Sequence, residues 1–560
     1  MTGADWLLSA LAAEGMPVLF GNPGSTELPI TDALGRGHGV DYVLGLHESV
    51  VMGMADGWAR VRGGPAAVNV HVQPGLANAM SGILNAARCR VPLVVTVGQQ
   101  VQEMLPGEPF LGGELVELAR PLAKGAWEVS SAAGLPAAFA RAVRTARAAP
   151  AGPVVLSLPL DVQVAPAPAP HVPAPAMSPP PPPPGGLDRA AALLAGARAP
   201  VLVAGDAAAG PRAAAALAAL AERLGAPVYG EPMASSVPLA TDHPLWRGSL
   251  PPFAAQIAPV LAPHDVVLAV GMPVFRLFGT SPGAPLPEGA ALIHMEVDPH
   301  EVGKVHRPAV GLVGDPAEGL AGLVARLGAA GPEVAPRRAA AVAATLAARR
   351  AARDRLARAA GGDGITPAAF ARAVAGALGP RDLLVDEALT AGRGLRAAVS
   401  RRTPATWMAH RGSALGWGLP AAVGARIADP GRRVMAVQGD GSLLFGVSAL
   451  WTAAHRGLGL ALVVADNGGY EILRAGLEGL TGRPEGHWPG IALSSPAVDL
   501  ESVCAGFGAS TARAAHPGEL REAMADLWRR ASGGPAVLVV DVAGRTPPVG
   551  YPVSPTPEER

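Results

Sequence analysis

At 560 residues, with 49% hydrophobic and 16% charged residues, the chain has material for about three to four cored units and excludes disorder along its whole length, which needs low hydrophobicity and high charge. Its 45 basic and 45 acidic residues cancel, so no whole-chain electrostatic footprint points to nucleic acid or an acidic membrane surface. The mean hydropathy of +0.29 comes largely from alanine, and Pro, Gly or a charge interrupts every apolar run before the ~18 residues a membrane span needs.

Taken in chain order, Met1-Thr2-Gly3-Ala4-Asp5 offers no basic region of the kind that opens a secretory leader. The first block, 1–164, carries short apolar runs at Val18–Phe20, Tyr42–Leu44, Ala67–Val70 and Leu93–Val97, with helices predicted over Glu48–Ala59 and Ala77–Ala87. A proline-rich stretch, 165–185, reads as an extended spacer. The middle block, 186–328, repeats the scheme with Val201–Val203, Val266–Val270 and Leu292–Met295. An alanine- and arginine-rich segment, 329–364, reads as a solvated linker helix; with no aromatic residues among its arginines it does not read as a nucleic-acid site. The last block, 365–545, has runs at Leu383–Val385, Val434–Val437, Leu460–Val464 and Val537–Val540, and 546–560 form a tail. Short apolar strands alternating with helices imply parallel sheets covered on both faces. Three doubly wound α/β domains in series are expected. Cys89 and Cys504 lie too far apart to suggest a metal motif and read as small core residues in a reducing cytosol.

The segment richest in chemistry is Gly439-Asp440-Gly441-Ser442, directly after a strand, with a long helix and a second strand expected before Asp466-Asn467-Gly468-Gly469. A carboxylate at one strand end and an amide at the next can face each other. With a backbone carbonyl they form a hard, all-oxygen set that suits Mg²⁺ or Ca²⁺ and leaves positions for phosphate oxygens. The glycines allow close approach of backbone to phosphate.

This pairing resembles the cofactor motif of the thiamine diphosphate enzymes, and the resemblance runs through nearly the whole chain: a pyrimidine-binding domain, a middle domain and a diphosphate-binding domain. It implies Asp440, Asn467 and the Gly469 carbonyl as Mg²⁺ ligands, with Gly439, Gly441, Ser442 and Tyr470 beside the cofactor. It implies that Glu48, in His47-Glu48-Ser49, bonds the aminopyrimidine; alone, such a residue reads equally as a helix N-terminal carboxylate favoured by the macrodipole. Leu415, in Arg411-Gly412-Ser413-Ala414-Leu415-Gly416-Trp417-Gly418, matches the apolar residue that buttresses the cofactor. Thr390 matches a phosphate-contacting hydroxyl, although Leu389 stands where a second hydroxyl is common.

Within that family the sequence is most similar to the benzoylformate decarboxylases. Gly21-Asn22-Pro23-Gly24-Ser25-Thr26-Glu27-Leu28-Pro29 resembles their opening loop, which implies that Ser25 meets the substrate carboxylate; His71 matches a histidine that transfers protons. Phe278 takes the place of their second histidine. Ala409 and Gly476 stand near positions where large aromatics close the aryl pocket, with Phe110, Leu111 and Ile472 as candidate walls. Gln73-Pro74-Gly75 resembles the acetolactate synthases instead.

The resemblance implies decarboxylation of a 2-oxo acid to an aldehyde and CO₂ in the cytoplasm, by a homodimer or homotetramer whose active sites lie between subunits. Carboligation of the acetolactate synthase or benzaldehyde lyase type is the alternative. A silent or nucleotide-binding protein on the same scaffold is a third reading; no Gly-x-Gly-x-x-Gly after a first strand and no Gly-Lys-Ser/Thr loop supports it.

Overall fold

The Val-, Leu- and Ile-rich runs become central strands buried on both faces, as expected of side chains that leave no polar side to the strand. A computed structural model describes residues 1–167, 171–173, 175, 177–329, 331–399, 403–483 and 488–543, so the tail 546–560 lies outside the described residues. Among the described residues the strands form three six-stranded sheets, every strand pair parallel. The expected α/β class is correct.

The first sheet holds β1 (Val18–Gly21), β2 (Asp41–Leu44), β3 (Ala66–Val70), β4 (Leu93–Gln99), β5 (Gly125–Glu128) and β6 (Val154–Pro159), in the order β2-β1-β3-β4-β6-β5. The middle sheet holds β7 (Pro200–Ala204), β8 (Val228–Gly230), β9 (Trp246–Ser249), β10 (Val266–Val270), β11 (Ala291–Glu296) and β12 (Val310–Val313), in the order β12-β11-β10-β7-β8-β9. The last sheet holds β13 (Leu383–Glu387), β14 (Trp407–Met408), β15 (Val434–Gly439), β16 (Leu460–Asp466), β17 (Ser510–Ala514) and β18 (Pro535–Asp541), in the order β14-β13-β15-β16-β18-β17. The first and last sheets therefore share one topology, while the middle sheet differs.

That shared order places a switch in direction between β1 and β3 and again between β13 and β15. Open α/β sheets bind ligands outside the carboxyl ends of their strands at such a switch. Ser25 follows β1 and His71 follows β3; Thr390 follows β13 and Asp440 follows β15. The first and last domains are joined by a close crossing of the Glu48–Arg62 and Gly418–Ala428 helices. A Cβ on Gly57 would stand 2.0 Å from the Ala421 carbonyl oxygen and one on Gly424 1.8 Å from that of Met54, so both positions require glycine.

Two local expectations need correction. The single long helix expected after Ser442 is two short ones, Asp440–Leu444 and Ala449–His455. The helix Val334–Ala359 is not simply solvated. Thr345 is buried, Arg337 donates to the carbonyls of Leu224 and Ala197, and Arg349 to those of His243 and Trp246. The proline-rich stretch begins tied to the amino terminus through a Thr2–Pro166 bridge, and the helix Pro184–Ala195 starts within it. Among the described residues no helix is long and apolar enough to cross a membrane.

Candidate functional site

The first-domain half is built on the loop after β1. His71 stands at the N-cap position of the Val72–Cys89 helix without a side-chain bond to it, and its Nδ1 lies 2.8 Å from Glu27 Oε2 and 3.0 Å from Thr26 Oγ1. The Thr26 hydroxyl donates to Glu27 Oε1 at 2.8 Å. Glu27 is fully buried, and burial raises its pKa above the usual carboxylate range, opposed by its bonds to Thr26 and His71. A carboxylate at that distance selects the Nδ1–H tautomer and leaves Nε2 for chemistry. Gly24 and Gly98 make room for the pair, since a Cβ would lie 2.0 Å from His71 Nδ1 or 1.7 Å from Glu27 Oε1. Ser25 is exposed on the same short turn. Glu27 escaped the sequence reading, because nothing along the chain tells a loop carboxylate that it will be buried against His71.

Glu48 opens the helix that follows β2 and is 8% exposed. Its Oε2 accepts from Asn78 Nδ2 at 3.0 Å, and Gly75 leaves its Oε1 accessible: a Cβ there would stand 3.2 Å away.

The last-domain half gathers at the ends of β15 and β16. Asp440 Oδ1 accepts from Gly441 N–H at 2.8 Å and Oδ2 from Gly469 N–H at 2.9 Å, so the two motif segments meet as the sequence pairing requires. Burial, with Asp466 nearby, pushes the Asp440 carboxyl up to about 6 against those N–H donors. Asn467 Oδ1 is buried with no hydrogen-bond partner among the described residues. A buried carboxylate under like-charge pressure beside an orphaned amide oxygen fits a hard divalent cation. The Gly469 carbonyl accepts from Glu471 N–H at 3.0 Å. A Cβ on Gly439 would meet nothing nearer than Ser442 Oγ at 4.0 Å, whereas one on Gly441 would stand 2.5 Å from the Tyr470 ring, so Gly441 requires glycine. Ser442 Oγ donates to the Gly439 carbonyl at 3.2 Å.

The loop carrying half-buried Leu415 is held along its length by all three domains. Ala409 N–H donates to the Ser235 carbonyl at 2.8 Å, and its own carbonyl accepts from Arg60 Nη1 at 2.8 Å. Arg411 forks onto Glu231 at 2.7 and 2.8 Å and reaches Asp206 at 3.0 Å. Burial lifts Glu231 to about 7, while Arg411 and the Ser235 and Ser236 hydroxyls hold Asp206 low despite burial. Asn85 pairs with Ala414, donating at 3.1 Å. Glu387 Oε1 accepts from Gly416 N–H at 2.7 Å and Oε2 from Gly418 N–H at 2.6 Å.

The remaining expected positions differ widely in exposure. Phe110 is 98% exposed; Phe278 is 52% exposed and packs edge-on against Phe253 with centroids 5.8 Å apart. Leu111, Ile472 and Thr390 are half-buried, and Ala409 and Gly476 are buried. A cavity of about 330 Å³ between the domains is lined by residues such as Arg88, Lys124, Arg276 and Arg411 and by none of the expected site residues.

The sequence matches three family patterns in order: thiamine pyrophosphate enzyme, N-terminal TPP binding domain, over residues 1–114; central domain, over 187–323; and C-terminal TPP binding domain, over 392–540. The benzoylformate decarboxylase of Pseudomonas aeruginosa is 36% identical over 528 residues, covering 92% of this chain and 94% of that one. The acetolactate synthase isozyme 1 large subunit of Escherichia coli is 27% identical over 551 residues, covering 97% and 94%. The thiamine diphosphate-dependent 4-hydroxybenzoylformate decarboxylase of Rhodococcus jostii RHA1 superposes with a TM-score of 0.84 at 30% identity, over 98% of this chain and 100% of its own. The two TPP binding domain patterns, one on each sheet that carries a switch point, define a cofactor-dependent enzyme. The chain belongs to the thiamine pyrophosphate enzymes, in the group that holds 2-oxo acid decarboxylases and acetolactate synthases.

Proposed function

We propose that this enzyme catalyses the thiamine diphosphate- and Mg²⁺-dependent, non-oxidative decarboxylation of a 2-oxo acid with a bulky apolar group, of the benzoylformate kind, to an aldehyde and CO₂, with carboligation as a side activity. The observation that carries this reading is His71 held at Nδ1 by buried Glu27 at 2.8 Å, one short turn from Ser25.

When bound, thiamine diphosphate supplies the nucleophilic carbon and the electron sink. Asp440, Asn467 and the Gly469 carbonyl would hold Mg²⁺ and through it the diphosphate, with Gly439, Gly441, Ser442, Tyr470 and Thr390 around them and Leu415 beneath the cofactor. Glu48 exchanges a proton with the aminopyrimidine ring nitrogen. The Ser25 hydroxyl orients the substrate carboxylate. His71 Nε2 gives and takes a proton at the substrate's keto oxygen, a task for which the Glu27 bond fixes its tautomer. Small Ala409 and Gly476 leave room for a large substituent, and Phe110, Leu111, Ile472 and Phe278 would supply apolar walls.

The active unit in this reading is a cytoplasmic homodimer or homotetramer in which Glu48 of one subunit meets the Asp440 site of another. Its support is the exposure of Leu28, Phe110, Phe278, Phe445 and Leu473, large apolar side chains that a second copy would cover. Both cysteines are free, which suits a reducing compartment.

Purified enzyme with thiamine diphosphate and Mg²⁺, offered benzoylformate and pyruvate, should turn over the aromatic acid at least tenfold more efficiently and release aldehyde. A preference for pyruvate with 2-hydroxy ketone as main product would favour the carboligase instead. Phe278 gives that second reading its own support, since a phenyl ring cannot deliver a proton. Phe278→His is expected to raise the aldehyde-to-hydroxyketone ratio at fixed acceptor concentration; an unchanged ratio makes Phe278 a wall only.

A further inference from the structure

Glu387 is the last residue of β13, and its register partner across the switch point is Gln438 of β15, the residue before Gly439-Asp440. Its side chain is fully buried, and four donors converge on the one carboxylate. Gly416 N–H binds Oε1 at 2.7 Å, Gly418 N–H binds Oε2 at 2.6 Å, Gln438 Nε2 binds Oε2 at 2.5 Å, and Trp417 N–H adds a fourth. His410 Nε2 stands 3.8 Å from Oε1. The turn it grips is tight: Ser413 has φ +61° and Gly416 φ +83°. Neither glycine could carry a side chain, for a Cβ on Gly416 would stand 2.5 Å from Phe445 and one on Gly418 2.9 Å from Glu387 itself.

The Gly418–Ala428 helix begins here with Trp417 at its N-cap and no side-chain cap of its own. A local Ser, Thr or Asp would satisfy such a helix start cheaply. A buried carboxylate does so only against the cost of taking its charge out of water, so stability alone is a poor reason for it. A remote carboxylate does something a local cap cannot: it locks the turn to the two strand ends at the switch point.

We infer that Glu387 is a positioning residue, which sets the height of Leu415 under the cofactor and couples it to the Asp440 segment through Gln438. The inference rests on the reading that Leu415 supports bound thiamine diphosphate. Glu387→Gln keeps the shape but turns an N–H₂ group toward donors, so at least one of the four bonds is lost.

The test uses holoenzyme and two readouts, amide hydrogen exchange across residues 414–419 and steady-state kinetics with benzoylformate. Glu387→Gln should speed exchange in that peptide at least tenfold and lower kcat at least tenfold, with KM for the 2-oxo acid held within threefold. Leu415→Ala alone should lower kcat; in that background Glu387→Gln should cost less than a further threefold. Should Glu387→Gln not fold, Glu387→Asp keeps the charge but withdraws it from the turn, and the same exchange and kcat losses are expected. Unchanged exchange and kcat in the variant that folds would overturn the inference, as would an equal kcat loss with and without Leu415. An unaffected Leu415→Ala would instead refute the buttress reading on which it rests.

Discussion

Replacing Glu27 with Gln probes the proton-handling centre without changing its shape. In the native site the carboxylate accepts from Nδ1–H at 2.8 Å while the Thr26 hydroxyl donates to its other oxygen at 2.8 Å. An amide can keep the Thr26 bond only by turning its NH₂ toward Nδ1. That demands a lone pair on Nδ1 and moves the imidazole proton to Nε2. A charge-assisted hydrogen bond is worth ~1.5–3 kcal/mol, so reversing the preference leaves roughly one molecule in 10 to 150 in the competent tautomer. The expected loss in kcat is therefore about 10- to 150-fold at saturating cofactor. Stability should move the other way or not at all, because a fully buried carboxylate, raised in pKa by that burial, is removed. The assay is kcat for benzoylformate together with the thermal unfolding midpoint. A Glu27→Gln enzyme within threefold of wild-type kcat, at an unchanged midpoint, would refute the tautomer argument.

Asp440→Ala should weaken thiamine diphosphate retention at least tenfold in equilibrium dialysis, because it removes the carboxylate beside the orphaned Asn467 oxygen; EDTA should strip the wild type alike, and full activity after dialysis without Mg²⁺ would contradict this. Gly57→Ala drives a methyl to 2.0 Å from the Ala421 carbonyl, and overpacking of ~1–3 kcal/mol outweighs the ~1 kcal/mol helix-propensity gain, so the unfolding midpoint falls; Gly376→Ala, with open space around it, should be neutral or stabilising. His410 supplies a pH dependence: burial lowers it from 6.5 to about 4. The unfolded chain takes up its proton first, so stability is full above pH 6.5 and declines as pH falls toward 4, by up to ~3 kcal/mol. Midpoints measured across that window should flatten in His410→Gln, and an identical slope would count against it.

What the sequence discloses is what lies contiguous in it. The central strands stand out because apolar residues cover both faces, and Gly439–Ser442 with Asp466–Gly469 announce their oxygens in two short segments. Edge strands are less legible: Gly125–Glu128 mixes a charge with a glycine, and β14 is two residues long, held by one neighbour. The single helix predicted after Ser442 is two, with Gly446 and neighbouring turn residues between them. Charges used as ties are the least legible. Arg337 and Arg349 look like solvent-facing residues until their carbonyl partners are in place. Glu27 looks like an ordinary loop carboxylate and Glu387 like a strand-end one, and charged residues are rarely fully buried. Only the fold brings the His71 ring and the Gly416–Gly418 N–H groups to them.

The account turns on cofactor-dependent decarboxylation that needs Glu48. The direct measurement is CO₂ and aldehyde released per active site from benzoylformate, with and without thiamine diphosphate and Mg²⁺, in wild type and Glu48→Gln. The account predicts equimolar CO₂ and aldehyde plus ligated product only when both additions are present, and a rate lower by ~10²-fold or more in Glu48→Gln. Release of CO₂ without the cofactor, or an undiminished rate in Glu48→Gln, would contradict it.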